Sequence, residues 1–407
     1  MNRTIGQGFD SALFYINHLI PLETLEFPSG MKVGTWTVPD EWVVHEAWLK
    51  HGKKKILDYK KDKLSLLVGS LPFEGTVDRE ELLKHLHYTD IEKDAFPYEQ
   101  KLYERDWGFT MPMNRIYGEV DGKREILLPE GEYEVCIKAE YKPGIMKVGV
   151  HTILGKTDKE VLLFAHLDHS WSANNNLSGV ACLIDLVKQI KPGDLEHTVK
   201  LVFCPATIGS TAYALTQDLT NVSFMVAVDG VGILNKDGIL LHNAFDKTAR
   251  VNHCAHLAMR QMADGFRHAP WRSSIGSDEY AFNDPEIGIP GLMLSTHPYP
   301  QHNTSADTPD IINYKVIEKI QRIIINTIKY YEQDYIPRRK FKGPLFRSGF
   351  GVQSSGRDNN MAWDYLVYTM GTKPLSELCI QFGLNYEHTR DLFDKLGDEI
   401  ERSPAPR

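Results

Sequence analysis

Between residues 132 and 331 the chain alternates short runs of branched and aromatic residues with stretches of helical periodicity, and this pattern constrains the fold most. The apolar runs at 133–139, 147–154, 161–165, 201–204, 224–228 and 292–294 read as strands. Between them Val180, Leu183, Ile184 and Val187 mark one face of a helix. Further helices are expected from 208, over 249–262 and, as a long closing element, over 316–331. Such alternation predicts an α/β domain with a mostly parallel central sheet.

The 407 residues are enough for two or three domains. Apolar spacing over 9–20 predicts an N-terminal helix. From Trp36 the texture changes to small β-prone stretches, 55–59 and 64–68, separated by Pro, Gly and charged clusters. A short helix there is expected to start at the N-cap Asp78. The expected division is an α/β domain of 1–34 plus 132–337, a β-rich insertion of 35–131, and a C-terminal unit of 342–407. In that last unit two helices flank Gly383-Leu384-Asn385, a helix-turn-helix pattern.

Charge argues against nucleic acid as a partner. The net charge is -8, and 342–407 holds eight basic and nine acidic residues, where phosphate neutralisation needs a positive surface. Protein contact, dimerisation or shielding of a site is the expected role of this end, so a homo-oligomer stays open. No apolar run approaches the ~18 residues that span a bilayer, and 1–8 lacks an apolar leader core. Five scattered cysteines give neither a disulfide framework nor a thiolate zinc site. The expected setting is cytoplasmic, without membrane contact. Trp36, Trp42 and Trp107 are expected in the core of the β-rich unit, and Lys53-Lys54-Lys55 at a solvated edge.

His166 closes the run 161–165, and ligands in open α/β sheets sit beyond the carboxyl ends of strands. A neutral imidazole is a common zinc ligand, and a carboxylate can orient it through its second nitrogen; Asp168 is placed to do so. A small-residue turn, Ser172-Ala173-Asn174-Asn175-Asn176-Leu177-Ser178-Gly179, then opens a helix. A distant loop, Tyr299-Pro300-Gln301-His302-Asn303-Thr304-Ser305-Ala306-Asp307, carries another histidine.

Taken in order, these stretches, with Asp229 in Val228-Asp229-Gly230, resemble the zinc-dependent aminopeptidases, whose fold glutaminyl cyclases share. The likeness covers about 132–331. The Trp36–Trp42 and Tyr103–Phe109 segments and the C-terminal helix pair extend it to a bacterial group with an inserted β-rich domain and a C-terminal winged helix. The resemblance implies a zinc site of His166, Asp229 and His302, aided by Asn175. Two departures matter. Asn175 stands where the family has a bridging aspartate, and Pro205-Ala206-Thr207 where it has a catalytic glutamate. A neutral amide cannot offset two cations, so one zinc per chain is expected. Asp278, Glu279 or Asp307 would have to replace the missing base, Glu279 being favoured.

The resemblance thus implies an amide hydrolase, aminopeptidase-like, acting on a small peptide or aminoacyl conjugate. Two rivals stand beside it: a binding protein without turnover on the same scaffold, and a single-zinc acyl-transfer or cyclisation enzyme.

Overall fold

A computed structural model describes residues 4–406, apart from 102, 170, 263, 264, 274 and 351–368. Part of the expected 342–407 unit therefore lies outside the described residues. In chain order the principal elements are α1 (Gln7–Leu19), β1 (Glu23–Pro28), β2 (Glu41–His51), β3 (Lys54–Asp58), β4 (Phe73–Asp78), β5 (Glu132–Lys142), β6 (Ile145–Ile153) and β7 (Glu160–His166). There follow α2 (Gly179–Leu186), β8 (Thr198–Cys204), α3 (Ile208–Thr216), β9 (Val222–Val228), β10 (Ile239–His242), α4 (Arg250–Met262), β11 (Phe266–Ala269), β12 (Gly291–Ser295), α5 (Tyr314–Gln333), α6 (Leu375–Phe382) and α7 (Tyr386–Lys395).

Eight strands form one sheet in the order β1-β6-β8-β7-β9-β12-β10-β11. The neighbours β8-β7-β9-β12 run parallel, and so do β10 and β11. The pairs β1–β6, β6–β8 and β12–β10 are antiparallel. The sheet is therefore mixed, with the expected parallel pairing at its centre. Parallel neighbours need a long crossover, which α2 and α3 supply on either side of β8; outside that centre the chain returns antiparallel.

Side chains alternate across each strand. Val161, Leu163 and Ala165 of β7 join one core with α2, α4 and α5. Leu162 and Phe164 join a second core under α3. With both faces covered, β7 and β9 read as almost unbroken apolar runs.

A second, antiparallel sheet of order β3-β2-β5-β4 has its own core around Leu49, Phe109, Tyr133 and Ile137. The expected strand at 64–68 is instead a 3-10 turn, Lys63–Ser65, followed by isolated bridges at Leu66 and Val68. Asp78 does cap the helix Arg79–Lys84, accepting from Glu81 N at 2.8 Å. Trp42 is core; Trp36 is not, being 36% exposed at the mouth of the cleft described below. At the C-terminus α6 and α7 form around Gly383, which is left-handed at φ 68°. Leu375, Cys379, Tyr386, Leu392 and Phe393 belong to the same core as α4 and α5. All five cysteines are free and buried. Among the described residues no helix is long and apolar enough to cross a membrane.

Candidate active site

Neighbouring strands β7 and β9 end side by side, Phe164 level with Ala227. This brings His166, the last residue of β7, next to Asp229, the first after β9. His166 Nε2 lies 3.9 Å from Asp229 Oδ1 and 2.9 Å from Asn175 Oδ1. The Asn175 amide nitrogen donates to Asn303 Oδ1 at 2.8 Å and faces His302 Nε2 at 3.2 Å. One amide thus stands between the two histidines. All four residues expected to hold metal line a single cleft of about 270 Å³ with Asp168, His169, Trp36 and Tyr103.

The turn presenting Asn175 is held by its own side chains and by Asp307. Asn176 Oδ1 accepts from Gly179 N at 3.2 Å and Gly230 N at 2.9 Å, and its amide donates to Val228 O at 2.8 Å. Asn174 Oδ1 accepts from Gly232 N at 2.6 Å, and Ser178 Oγ from Val231 N at 2.9 Å. Gly179 is obligatory on space: a Cβ there would sit 2.3 Å from Val228 O. Asp307 braces the turn from the other side, accepting from Asn174 N at 2.6 Å, Asn175 N at 3.0 Å and Tyr299 Oη at 3.1 Å. Burial, offset in part by these donors, raises its pKa from the ordinary carboxylate value.

The structure places Asp168 against the Ala206 amide, 2.9 Å away, and against His169 Nδ1 at 3.5 Å. The carboxylate facing the second nitrogen of His166 is Asp278, with Oδ2 3.6 Å from Nδ1. Asp278 is itself fixed by Thr207 N at 3.0 Å. Its sequence signal was the Ser277-Asp278 pair, read only as a substitute base. Burial pushes the His166 pKa down, but Asp229, Asp278 and Asp168 outweigh it and raise it to about 10. The pocket therefore favours a positive charge at this position. His302 is the opposite: burial and the neighbouring His297 lower it to about 4. Glu279 is fully buried, is not among the residues lining the cleft, and is pushed up to about 8 by burial. Its Oε2 accepts from Ser277 N at 2.9 Å and its Oε1 has no partner.

Donors around a tetrahedral zinc lie about 3.4 Å apart, from Zn–N and Zn–O distances near 2.0–2.1 Å. The spacings from His166 to Asn175 and to Asp229, 2.9 and 3.9 Å, bracket that value. These two spacings are compatible with an ion bound beside His166 Nε2. Among the described residues no three His, Cys, Asp or Glu side chains are grouped to hold a metal; the third donor here is an amide oxygen.

A mixed eight-stranded sheet with a histidine cleft at its carboxyl ends defines an aminopeptidase-like α/β protein. The fold is similar to that of a zinc aminopeptidase from Bacillus subtilis, with a TM-score of 0.58 and 15% identity over 81% of this chain and 90% of that one. It is similar over 98% of this chain and 93% of the other to a proposed peptidase from Clostridium acetobutylicum, with a TM-score of 0.79 and 24% identity. Residues 1–334 match the DUF4910 model, described as a domain of unknown function, and the chain belongs to that family. A C. acetobutylicum protein described as a proposed polysaccharide biosynthesis protein with an aminopeptidase-like domain is 32% identical over 313 residues, 74% of this chain and 68% of its own length.

Proposed function

We propose that the chain is a zinc-dependent amide hydrolase that acts on a small peptide or aminoacyl conjugate with one ion per chain. The observation that carries this reading is the convergence of His166 Nε2, Asn175 Oδ1 and Asp229 Oδ1 at the strand ends. The carboxylates Asp229, Asp278 and Asp168 that raise the His166 pKa supply negative charge that a cation would meet.

When bound, zinc supplies a Lewis acid for the amide carbonyl and makes water a better nucleophile. Asp278 orients His166 through Nδ1. The Asn175 side-chain amide stands between His166 and His302, and Asp307 holds the backbone that presents it, accepting from Asn175 N. Trp36 and Tyr103, with ring centroids 6.0 Å apart, form an aromatic edge to the cleft. A volume of about 270 Å³ suits a residue-sized group and favours small substrates.

A binding role without turnover is favoured by one observation. Ala206 offers no side-chain base, and Glu279 is not among the residues lining the cleft; a positioned base contributes ~10²–10⁴-fold. Elemental analysis after zinc loading and desalting, followed by an amide-substrate screen, separates the readings. About one zinc per chain, lost in His166→Ala, together with amide turnover is the expected result. Zinc without turnover would favour the binding role; no retained zinc would overturn both the metal assignment and the hydrolase reading.

A further inference from the structure

The opposite ends of the same strands carry a second constellation. Ser223 is the second residue of β9, His197 immediately precedes β8, and Glu332 lies in the last turn of α5. Glu332 Oε1 accepts from His197 N at 2.8 Å and from its Nδ1 at 3.0 Å. An ionised carboxylate only accepts, so Nδ1 carries the hydrogen. That leaves Nε2 of the neutral ring as an acceptor, and Ser223 Oγ is 3.0 Å from it. A hydroxyl bonded to a histidine that a carboxylate orients is the arrangement that activates a serine nucleophile.

Three further observations set this apart from an ordinary core hydrogen bond. The pairing of β7 with β9 jumps from Glu160–Val222 to Val161–Phe224, so Ser223 is the extra residue of a β-bulge; bulges re-aim a side chain and recur beside active sites. Ser223, His197 and Glu332 all line one cavity of about 450 Å³. Arg250 lines it too: its guanidinium sits 3.7 Å over the Tyr331 ring and donates from Nη1 to Tyr331 O at 2.6 Å, while Nε is buried without a partner. Three carboxylates, Glu196, Glu332 and Asp334, and two cations, Lys159 and Arg250, border this cavity, a near-balance that favours an uncharged ligand.

We propose that Ser223, His197 and Glu332 form a second, metal-independent centre that cleaves small uncharged esters by acyl transfer. Ser223 Oγ bonds to the acyl carbon as its proton passes to His197 Nε2. The bond to the alcohol oxygen breaks, and the departing alkoxide takes that proton. Water then attacks the acyl-serine, giving a proton to Nε2; the carboxylic acid leaves as Oγ recovers the proton. Glu332 is a positioning residue that holds the tautomer.

The test treats the full chain, in the presence of a chelator, with a tagged fluorophosphonate and separately with p-nitrophenyl acetate. Chelation silences the proposed zinc site, so failure here and failure there are distinguishable. The expected result is one label per chain on the peptide containing Ser223, displacing fluoride, together with ester turnover. Both are lost in Ser223→Ala, which removes a single hydroxyl and keeps the fold. Glu332→Gln should slow labelling by roughly tenfold or more, with partial recovery in Glu332→Asp, a rescue that a purely structural tie would not give. A folded wild-type chain left unlabelled at Ser223, or a Ser223→Ala chain as reactive as wild type, overturns the proposal.

Discussion

Replacing Asp278 by Asn tests whether the cleft is tuned to hold positive charge at His166. The substitution keeps an oxygen for the Thr207 amide, 3.0 Å away, and replaces the charged Oδ2 that faces His166 by a neutral amide nitrogen. Asp278 Oδ2 lies 3.6 Å from His166 Nδ1; at an effective dielectric near 20 a pair at that separation is worth at most about 4.6 kcal/mol. Asp229 and Asp168 remain, so the shift should shrink without vanishing. In the metal-free protein His166 is raised from 6.5 to about 10. A histidine raised on folding stabilises the fold fully below its unfolded value, and that contribution is lost as pH rises through the folded one. The whole effect is on the order of 5 kcal/mol, lost between pH 6.5 and 10. Urea unfolding in chelator at several pH values across this window measures it. Asp278→Asn should flatten the decline by at least about 1.4 kcal/mol, one pH unit of His166. A variant whose stability follows the wild-type curve throughout would refute the reasoning.

Two further outcomes are expected. Gly179→Ala drives a methyl to 2.3 Å from Val228 O and 2.4 Å from Asn176 Oδ1; it should cost about 1–3 kcal/mol in a denaturation midpoint and weaken zinc retention by displacing the turn. Glu279→Gln removes a buried acid raised from 4.5 to about 8, whose protonated form the fold prefers, so wild-type stability should fall as pH rises between these values. The variant should match wild type near pH 4.5 and exceed it above pH 8; equal pH dependence of the two proteins would count against the burial argument.

The centre of the sheet was legible because β7 and β9 are buried on both faces and so must be apolar throughout. The outer strands were not. Ile239-Leu240-Leu241-His242 and Phe266-Arg267-His268-Ala269 are too short and mixed to show a period, and 41–51 mixes apolar runs with charged residues around two tryptophans. At the site, His166 was legible from its place at a strand end and its partners from the resemblance to the zinc aminopeptidases, and the structure brings His166, Asn175, Asp229 and His302 into one cleft. The carboxylate opposite His166 was not, because Asp278 is 112 residues away in sequence and no local pattern connects a side chain to a nitrogen across that gap. Sequence proximity favoured Asp168, but that carboxylate turns toward the Ala206 amide. Trp36 shows a related limit: aromatic content alone predicts burial, whereas its short hairpin with Lys32–Val33 presents it at the cleft.

The C-terminal helices have a consequence for where this protein can be cut. The family match stops at residue 334, yet Leu375, Cys379, Tyr386, Leu392 and Phe393 pack into the core that α4 and α5 build. Asp334, the last matched residue, accepts from both Ser376 N and Ser376 Oγ at 3.0 and 2.6 Å. A chain ending at the family boundary would strip the outer faces of α4 and α5 and leave a buried carboxylate without its donors. The match to the family model therefore ends inside a packed core, and α6 and α7 complete that core from beyond it.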